Sequence, residues 1–297
     1  MNKIVVILGP TASGKTDLSI RLAKKYNGEI ISADSRQVYK GLDIGSGKIT
    51  KKEMKGVPHY LLDVADPKRK FTVARYKKLA EKVIKRIQKD GKLPIIVGGT
   101  GFYIQSIVDG TIIPEIKPNW ELRKKIEKMG CKEMFIKLKN LDPVRAKNID
   151  KNNPRRLVRA LEIILTTKKP VPEIATKKIT YQVLKIGIKK SSEELKNLIH
   201  KRLTKRLKKN LMIKEIKNLH KAGVSWKRLE EFGLEYRIVA QYLQNKVSFE
   251  EMKSKIQIDS EHYAKRQMTW FKRDKKIIWV DNLKHSKKVL DSFLETL

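Results

Sequence analysis

The chain predicts an α/β fold: a parallel sheet flanked by helices, carrying a mostly helical insertion domain. Three observations predict it. Short apolar runs alternate with helical patterns through the first hundred residues, the rhythm of βαβ units. The first run feeds directly into Gly9-Pro10-Thr11-Ala12-Ser13-Gly14-Lys15-Thr16, which matches the G-x-x-x-x-G-K-[ST] phosphate loop. Past Pro114 the chain turns helical and charged, punctuated by Pro118, Pro143, Pro154, Pro170 and Pro172, until an apolar run returns at Tyr181.

The elements follow in order. Ile4-Val5-Val6-Ile7-Leu8 is apolar at every position, as a strand buried on both faces must be, and 3–8 reads as the first strand. Leucine, isoleucine and alanine at helical spacing make 17–26 a helix. Strands follow at 29–33, 59–64 and 93–97, with a helix over 72–90 that sets Tyr76, Leu79, Ala80, Val83, Ile84 and Ile87 on one face. The core domain takes 1–113 and 181–297, and the insertion 114–180. Tyr181 to Ile188 rejoins the sheet. A single long amphipathic helix is expected over 191–222, then helices at 235–244 and 249–273, a strand at 276–280 and a short final helix.

Composition narrows the partners. With 40% hydrophobic and 34% charged residues the chain is globular, not disordered. The balance of 68 Lys+Arg against 32 Asp+Glu, net +36, favours a polyanion such as nucleic acid, or else reflects a general lysine bias. One cysteine, Cys131, excludes a disulfide framework and a cysteine zinc site, and suits a reducing cytosol. Five apolar residues before the loop are too few for a signal peptide. The apolar window 93–113 holds Pro94, four glycines, Gln105 and Asp109, so it reads as strand and loop rather than a membrane span. A cytoplasmic monomer without membrane contact is expected.

Sites in parallel sheets lie beyond the carboxyl ends of the strands, so residues after Leu8, Ala33 and Val97 should be neighbours. In the phosphate loop, successive amides at a helix N-terminus and Lys15 would grip phosphate oxygens, and the Thr16 hydroxyl would ligate Mg²⁺. In Ser32-Ala33-Asp34-Ser35-Arg36-Gln37-Val38-Tyr39, Asp34 reads as a general base, an indirect Mg²⁺ holder or a helix N-cap. In Val97-Gly98-Gly99-Thr100-Gly101-Phe102-Tyr103 the glycines permit close approach and the Thr100 hydroxyl could hydrogen-bond a leaving-group oxygen, unless the run is a plain strand-to-helix turn. Arg155, Arg156 and Arg159 oppose the macrodipole at a helix start, which suggests anion contact unless they form a solvated face. Lys265-Arg266-Gln267-Met268-Thr269-Trp270-Phe271-Lys272-Arg273 interleaves bases with aromatics, as single-stranded RNA contacts do, although Trp270 and Phe271 also suit a core. Gly45-Ser46-Gly47-Lys48-Ile49-Thr50 imitates a phosphate loop. It lacks the first glycine at the right offset and a Ser or Thr after the lysine, so it is set aside. The histidines show no metal-ligand spacing.

Together these blocks, with 58–67 and 71–76 between them, resemble the tRNA dimethylallyltransferase family over nearly the whole chain. The resemblance implies a P-loop NTPase-like fold. It also implies transfer of the dimethylallyl group of dimethylallyl diphosphate to the N6 amine of an adenosine beside the anticodon of tRNA, with Mg²⁺ and release of diphosphate. It makes Asp34 the base and sets Thr100 against the bridging oxygen. Gly9, Pro10, Thr11, Ala12, Ser13, Gly14, Lys15 and Thr16 would hold the diphosphate, with Arg202 and Arg206 beside them. It assigns tRNA contacts to Asp34, Ser35, Arg36, Gln37, Thr100, Arg123, Arg155, Arg156, Leu157, Val158 and Arg159, and to Lys265, Arg266, Gln267, Thr269, Trp270, Lys272 and Arg273. Phe232-Gly233-Leu234-Glu235-Tyr236-Arg237 fits the family's RNA-contact segment only loosely. The zinc finger of eukaryotic members is absent, which points to the bacterial type. An adenylate isopentenyltransferase or a small-molecule kinase on the same fold stands as the alternative.

Overall fold

The computed structural model describes residues 2–114, 116–172, 176 and 179–296. Contacts divide the chain into two compact units, Met1–Gly110 with Lys178–Leu297, and Thr111–Lys177. The boundaries written from the sequence differ from these by three residues. Positions 115, 173–175, 177 and 178 of the expected insertion region lie outside the described residues.

The first unit begins β1(Lys3–Leu8), α1(Lys15–Lys25), β2(Gly28–Ser32), α2(Lys51–Met54), β3(His59–Tyr60), α3(Val73–Lys89), β4(Leu93–Gly98), α4(Gly101–Val108). The second unit holds α5(Trp120–Glu127), α6(Cys131–Leu141), α7(Pro143–Lys147) and α8(Pro154–Thr167). The chain then returns through β5(Gln182–Ile188), α9(Ser192–Leu207), α10(Leu211–Lys221), α11(Trp226–Phe232), α12(Leu234–Leu243), α13(Phe249–Phe271), β6(Ile277–Val280) and α14(Leu283–Glu295). Among the described residues six strands form one parallel sheet, in the order β3-β2-β4-β1-β5-β6.

The sheet is buried on both faces, and β1 is accordingly apolar from Ile4 to Leu8. Ile4, Val6 and Leu8 point into one core with Tyr76, Ile84 and Ile96, while Val5 and Ile7 point into the other with Ile20, Leu22 and Ile95. Register brings the strand ends level: Leu8 of β1 pairs with Gly98 of β4, and Ser32 of β2 with Val97. The chain reverses its winding direction between β1 and β4, and ligands bind at such a crevice.

Helix α11 was not expected, and two expected elements take a different form. The third strand stops at Tyr60, because Leu61 and Asp63 take left-handed backbone angles (φ 63 and 57). The chain there bends to pair with the 37–40 segment: the amide of Ala65 donates to the Val38 carbonyl and that of Lys40 to Ala65. The single helix expected over 191–222 is two, α9 and α10, separated by a turn in which Lys209 and Asn210 are both left-handed (φ 55). An unbroken apolar stripe concealed the break. Leu195, Ile199 and Leu203 are buried from α9, and Met212, Ile216 and Leu219 from α10.

In the second unit, Ile126, Met134, Leu138, Leu157, Leu161 and Ile164 form a separate core. Glu162 is buried beside it, and α8 starts on an Asn153 cap with Pro154 in the first turn.

Candidate active site

The phosphate loop leaves β1 and enters α1 through two left-handed residues, Ala12 (φ 63) and Gly14 (φ 88). Gly14 caps α1 without any side-chain bond, so the first amides of that helix stay available to an anion. The Ser13 hydroxyl is buried with no hydrogen-bond partner among the described residues. The Lys15 ammonium lies over the loop, 2.6 Å from the Pro10 carbonyl. Burial and the neighbouring Arg202 drive its pKa down to about 7, against a smaller upward pull from Asp34. Arg202, reaching in from α9, donates to the Thr11 hydroxyl at 3.0 Å and to the Ser46 carbonyl at 3.3 Å. Burial and the adjacent Arg206 lower its pKa to about 10. Arg206 pairs with Glu235 at 2.8 Å and keeps one guanidinium nitrogen buried with no partner among the described residues. Three cations packed this closely repel one another, and a multiply charged anion placed among them would relieve that repulsion.

Beside the loop, Asp34 follows β2. Its Oδ1 accepts the amides of Arg36 (2.8 Å) and Gln37 (3.2 Å), an Asx-type turn. No helix follows at 35–38, so the N-cap alternative falls away. Thr100 follows β4, and its hydroxyl accepts the Ser35 amide at 3.1 Å while its own amide donates to the Ala33 carbonyl. This approach needs glycine at 98: a Cβ there would stand 2.2 Å from the Ala33 carbonyl oxygen. Tyr263 of α13 faces the same spot, with the Arg36 guanidinium 5.5 Å from its ring centre. Burial and Asp34 raise the pKa of its phenol, against Arg36 and Thr100. Sequence reasoning missed Tyr263, since nothing in its local pattern marks it.

Other expected site residues are distributed more widely in role. Gln267 is buried and braces the site from behind: it accepts the Thr11 amide (2.8 Å) and donates to the Gly99 carbonyl (2.8 Å). Trp270 is half-buried against Gly101 and Phe271 is core, while Lys265, Arg266, Thr269, Lys272 and Arg273 are exposed. In the second unit Arg155 and Arg156 are exposed. Leu157 and Val158, expected at RNA, have their side chains in the core, because they lie on the inner face of α8. Arg123 and Arg159 are likewise not free cations. Arg123 grips Glu162 with two bonds (2.8 and 2.7 Å) and Arg159 adds a third (2.5 Å). Burial works to raise the Glu162 pKa, but these arginines hold it below the usual carboxylate range. Tyr236, in the loosely fitting 232–237 segment, is fully buried.

The set-aside glycine loop borders the site after all. Lys48 is spent elsewhere, on the Tyr39 carbonyl, Asp43 and Asp63 at 2.6 to 2.8 Å. Gly47, however, abuts both Arg202 and Arg206.

A phosphate loop at the switch point of a parallel sheet, with a carboxylate and a hydroxyl on the neighbouring strand ends, defines the P-loop class of phosphate-binding α/β enzymes. Within that class, residues 37–274 match the model of the IPP transferase family, and the chain belongs to it. It is 41% identical to the tRNA dimethylallyltransferase of Thermoanaerobacter sp. (strain X514), over 99% of this chain and 97% of the relative. It is also 41% identical to that of Acetivibrio thermocellus, over 95% and 92%. Among solved structures it resembles the full-length tRNA isopentenylpyrophosphate transferase of Bacillus halodurans, with TM-score 0.73, 36% identity and coverage of 99% and 96%. A eukaryotic dimethylallyltransferase acting on tRNA superposes with TM-score 0.78 at 25% identity, covering 99% of this chain and 78% of the other.

Proposed function

We propose that this chain transfers the dimethylallyl group of dimethylallyl diphosphate to the exocyclic N6 amine of an adenosine beside the anticodon of tRNA, releasing diphosphate. Family membership and the activity named for its relatives support the transfer to tRNA. One observation carries the choice of donor. The phosphate loop, Lys15 and Arg202 form a cationic cradle level with Asp34 and Thr100, suited to a leaving group of several negative charges.

The bond from the prenyl C1 to the bridging oxygen breaks as the N6–C1 bond forms. The α1 amides, Lys15 and Arg202 stabilise the charge that collects on the departing oxygens. Thr100 faces the bridging oxygen. Asp34 takes the N6 proton; its Oδ1 is held by the Arg36 and Gln37 amides, which leaves Oδ2 for that proton. The target adenosine must leave its stack to arrive here, at a cost of a few kcal/mol. Exposed Lys265, Arg266, Lys272 and Arg273 would offset part of that through phosphate contacts.

Among the described residues no group of three or more His, Cys, Asp or Glu is arranged to hold a metal. Mg²⁺ needs none here, since it commonly binds through one or two protein oxygens and the substrate's phosphates. The exposed Thr16 hydroxyl on the first turn of α1 would supply such an oxygen, and Mg²⁺ held there would contribute positive charge that stabilises the departing diphosphate. One chain carries every group invoked, so a monomer suffices, and no described helix is long and apolar enough to cross a membrane. We read it as cytoplasmic, where tRNA is met.

Incubation with unmodified tRNA, labelled dimethylallyl diphosphate and Mg²⁺ should place the label on one adenosine without ATP turnover. Label appearing on AMP and not on tRNA, or ATP consumed in its place, would overturn this reading.

A further inference from the structure

The loop 43–47 binds an anion after all, and the anion is a side chain of the protein. Glu215 of α10 accepts the amides of Asp43 (3.0 Å) and Ile44 (2.5 Å) on Oε2, and the amide of Gly45 (3.1 Å) on Oε1. The Tyr236 hydroxyl donates to the same Oε1 at 2.8 Å and accepts the next amide, Ser46, at 3.1 Å. Four successive amides therefore converge on one carboxylate and its tyrosine, the geometry by which backbone nests hold anions. Glycine at 45 is required for this: a Cβ there would lie 2.7 Å from the Tyr236 ring.

The carbonyls of Ser46 and Gly47 are engaged by Arg202 and Gln37. The Ser46 carbonyl accepts from Arg202 (3.3 Å) and from Gln37 (3.5 Å), and the Gly47 carbonyl from Gln37 (3.3 Å). Gly47 is left-handed (φ +63), and a Cβ on it would stand 1.7 Å from Arg202 Nη2 and 2.1 Å from Arg206 Nη2. Arg202 is thus held between the Ser46 carbonyl on one side and the Thr11 hydroxyl of the phosphate loop on the other.

We propose that Glu215, with Tyr236, is a positioning residue for prenyl transfer: by filling the 43–47 nest it aims Arg202 at the diphosphate and Gln37 at the acceptor side. This rests on the transfer proposed above. Glu215→Gln keeps the shape but turns an amide group toward backbone donors. It should weaken binding of inorganic diphosphate, read by titration calorimetry, by about tenfold, and raise KM for the prenyl donor in step, with kcat changed much less.

The discriminating measurement is a double-mutant cycle with Arg202→Ala. If Glu215 acts through Arg202, Glu215→Gln costs little further diphosphate affinity once Arg202 is gone. Equal costs in both backgrounds, or no cost in the first, overturn the proposal. Should Glu215→Gln fail to fold by circular dichroism, Tyr236→Phe enters the same cycle with a smaller effect in the same direction. A wild-type protein that binds diphosphate but prenylates no tRNA sinks the functional reading and leaves the positioning claim to the binding cycle.

Discussion

Lys15 carries the most informative electrostatics in the molecule. Its pKa stands at about 7 in the folded chain against 10.5 for a free lysine. Between those values the unfolded state holds the extra proton, so this group's contribution to stability rises with pH from about 7 to 10.5. A bound diphosphate reverses the preference by favouring the charged ammonium. Above pH 7, binding should therefore take up a proton, and affinity should fall as pH rises. Calorimetry in buffers of different ionisation heat checks this, with Lys15→Met losing the uptake. Asp34→Ala should lower the transfer rate about 10²-fold or more with tRNA affinity nearly unchanged, by single-turnover kinetics beside filter binding. A parallel loss of binding would assign Asp34 to RNA contact in place of proton transfer. Both residues were legible in the chain because their motifs are local. Tyr263 and Glu215 were not, since each acquires its part only by meeting residues far away in sequence.

At the scale of elements, α8 shows how one pattern can be read two ways. Arginines at its start looked like a contact surface for an anion, and the anion that one of them, Arg159, holds together with Arg123 of α5 is Glu162 within the same unit. A buried carboxylate that loses its charge leaves these guanidinium groups unpaired. Glu162→Gln should cost about 3 kcal/mol or more, seen as a lower midpoint in denaturant melts. Arg155→Ala and Arg156→Ala, on exposed positions, should leave those melts unmoved. The split of the expected 191–222 helix belongs here too. Hydrophobic spacing reports which face is buried, and it runs through the break undisturbed. The break itself is a backbone event at Lys209 and Asn210, and it is what delivers Glu215 to the 43–47 loop.

For the whole molecule the net charge of +36 governs encounter with RNA. Affinity for tRNA should fall steeply with salt, and Lys272→Ala or Arg273→Ala should each flatten the logarithmic slope by about 0.7 to 0.9 in filter-binding titrations if it meets a phosphate. An unchanged slope would remove that residue from the interface. By itself the sequence determined the α/β class, five of the six strands nearly to the residue, and the phosphate loop with Asp34 and Thr100 at neighbouring strand ends. Those follow from periodicity and from glycine chemistry, which act over a few residues. Only the tertiary structure decided where charges are spent: Glu162 takes Arg123 and Arg159, Gln267 braces the loop, and Glu215 fills a nest that resembled a phosphate site. Pairing between charges depends on distance in space, and a linear order of residues does not contain that distance.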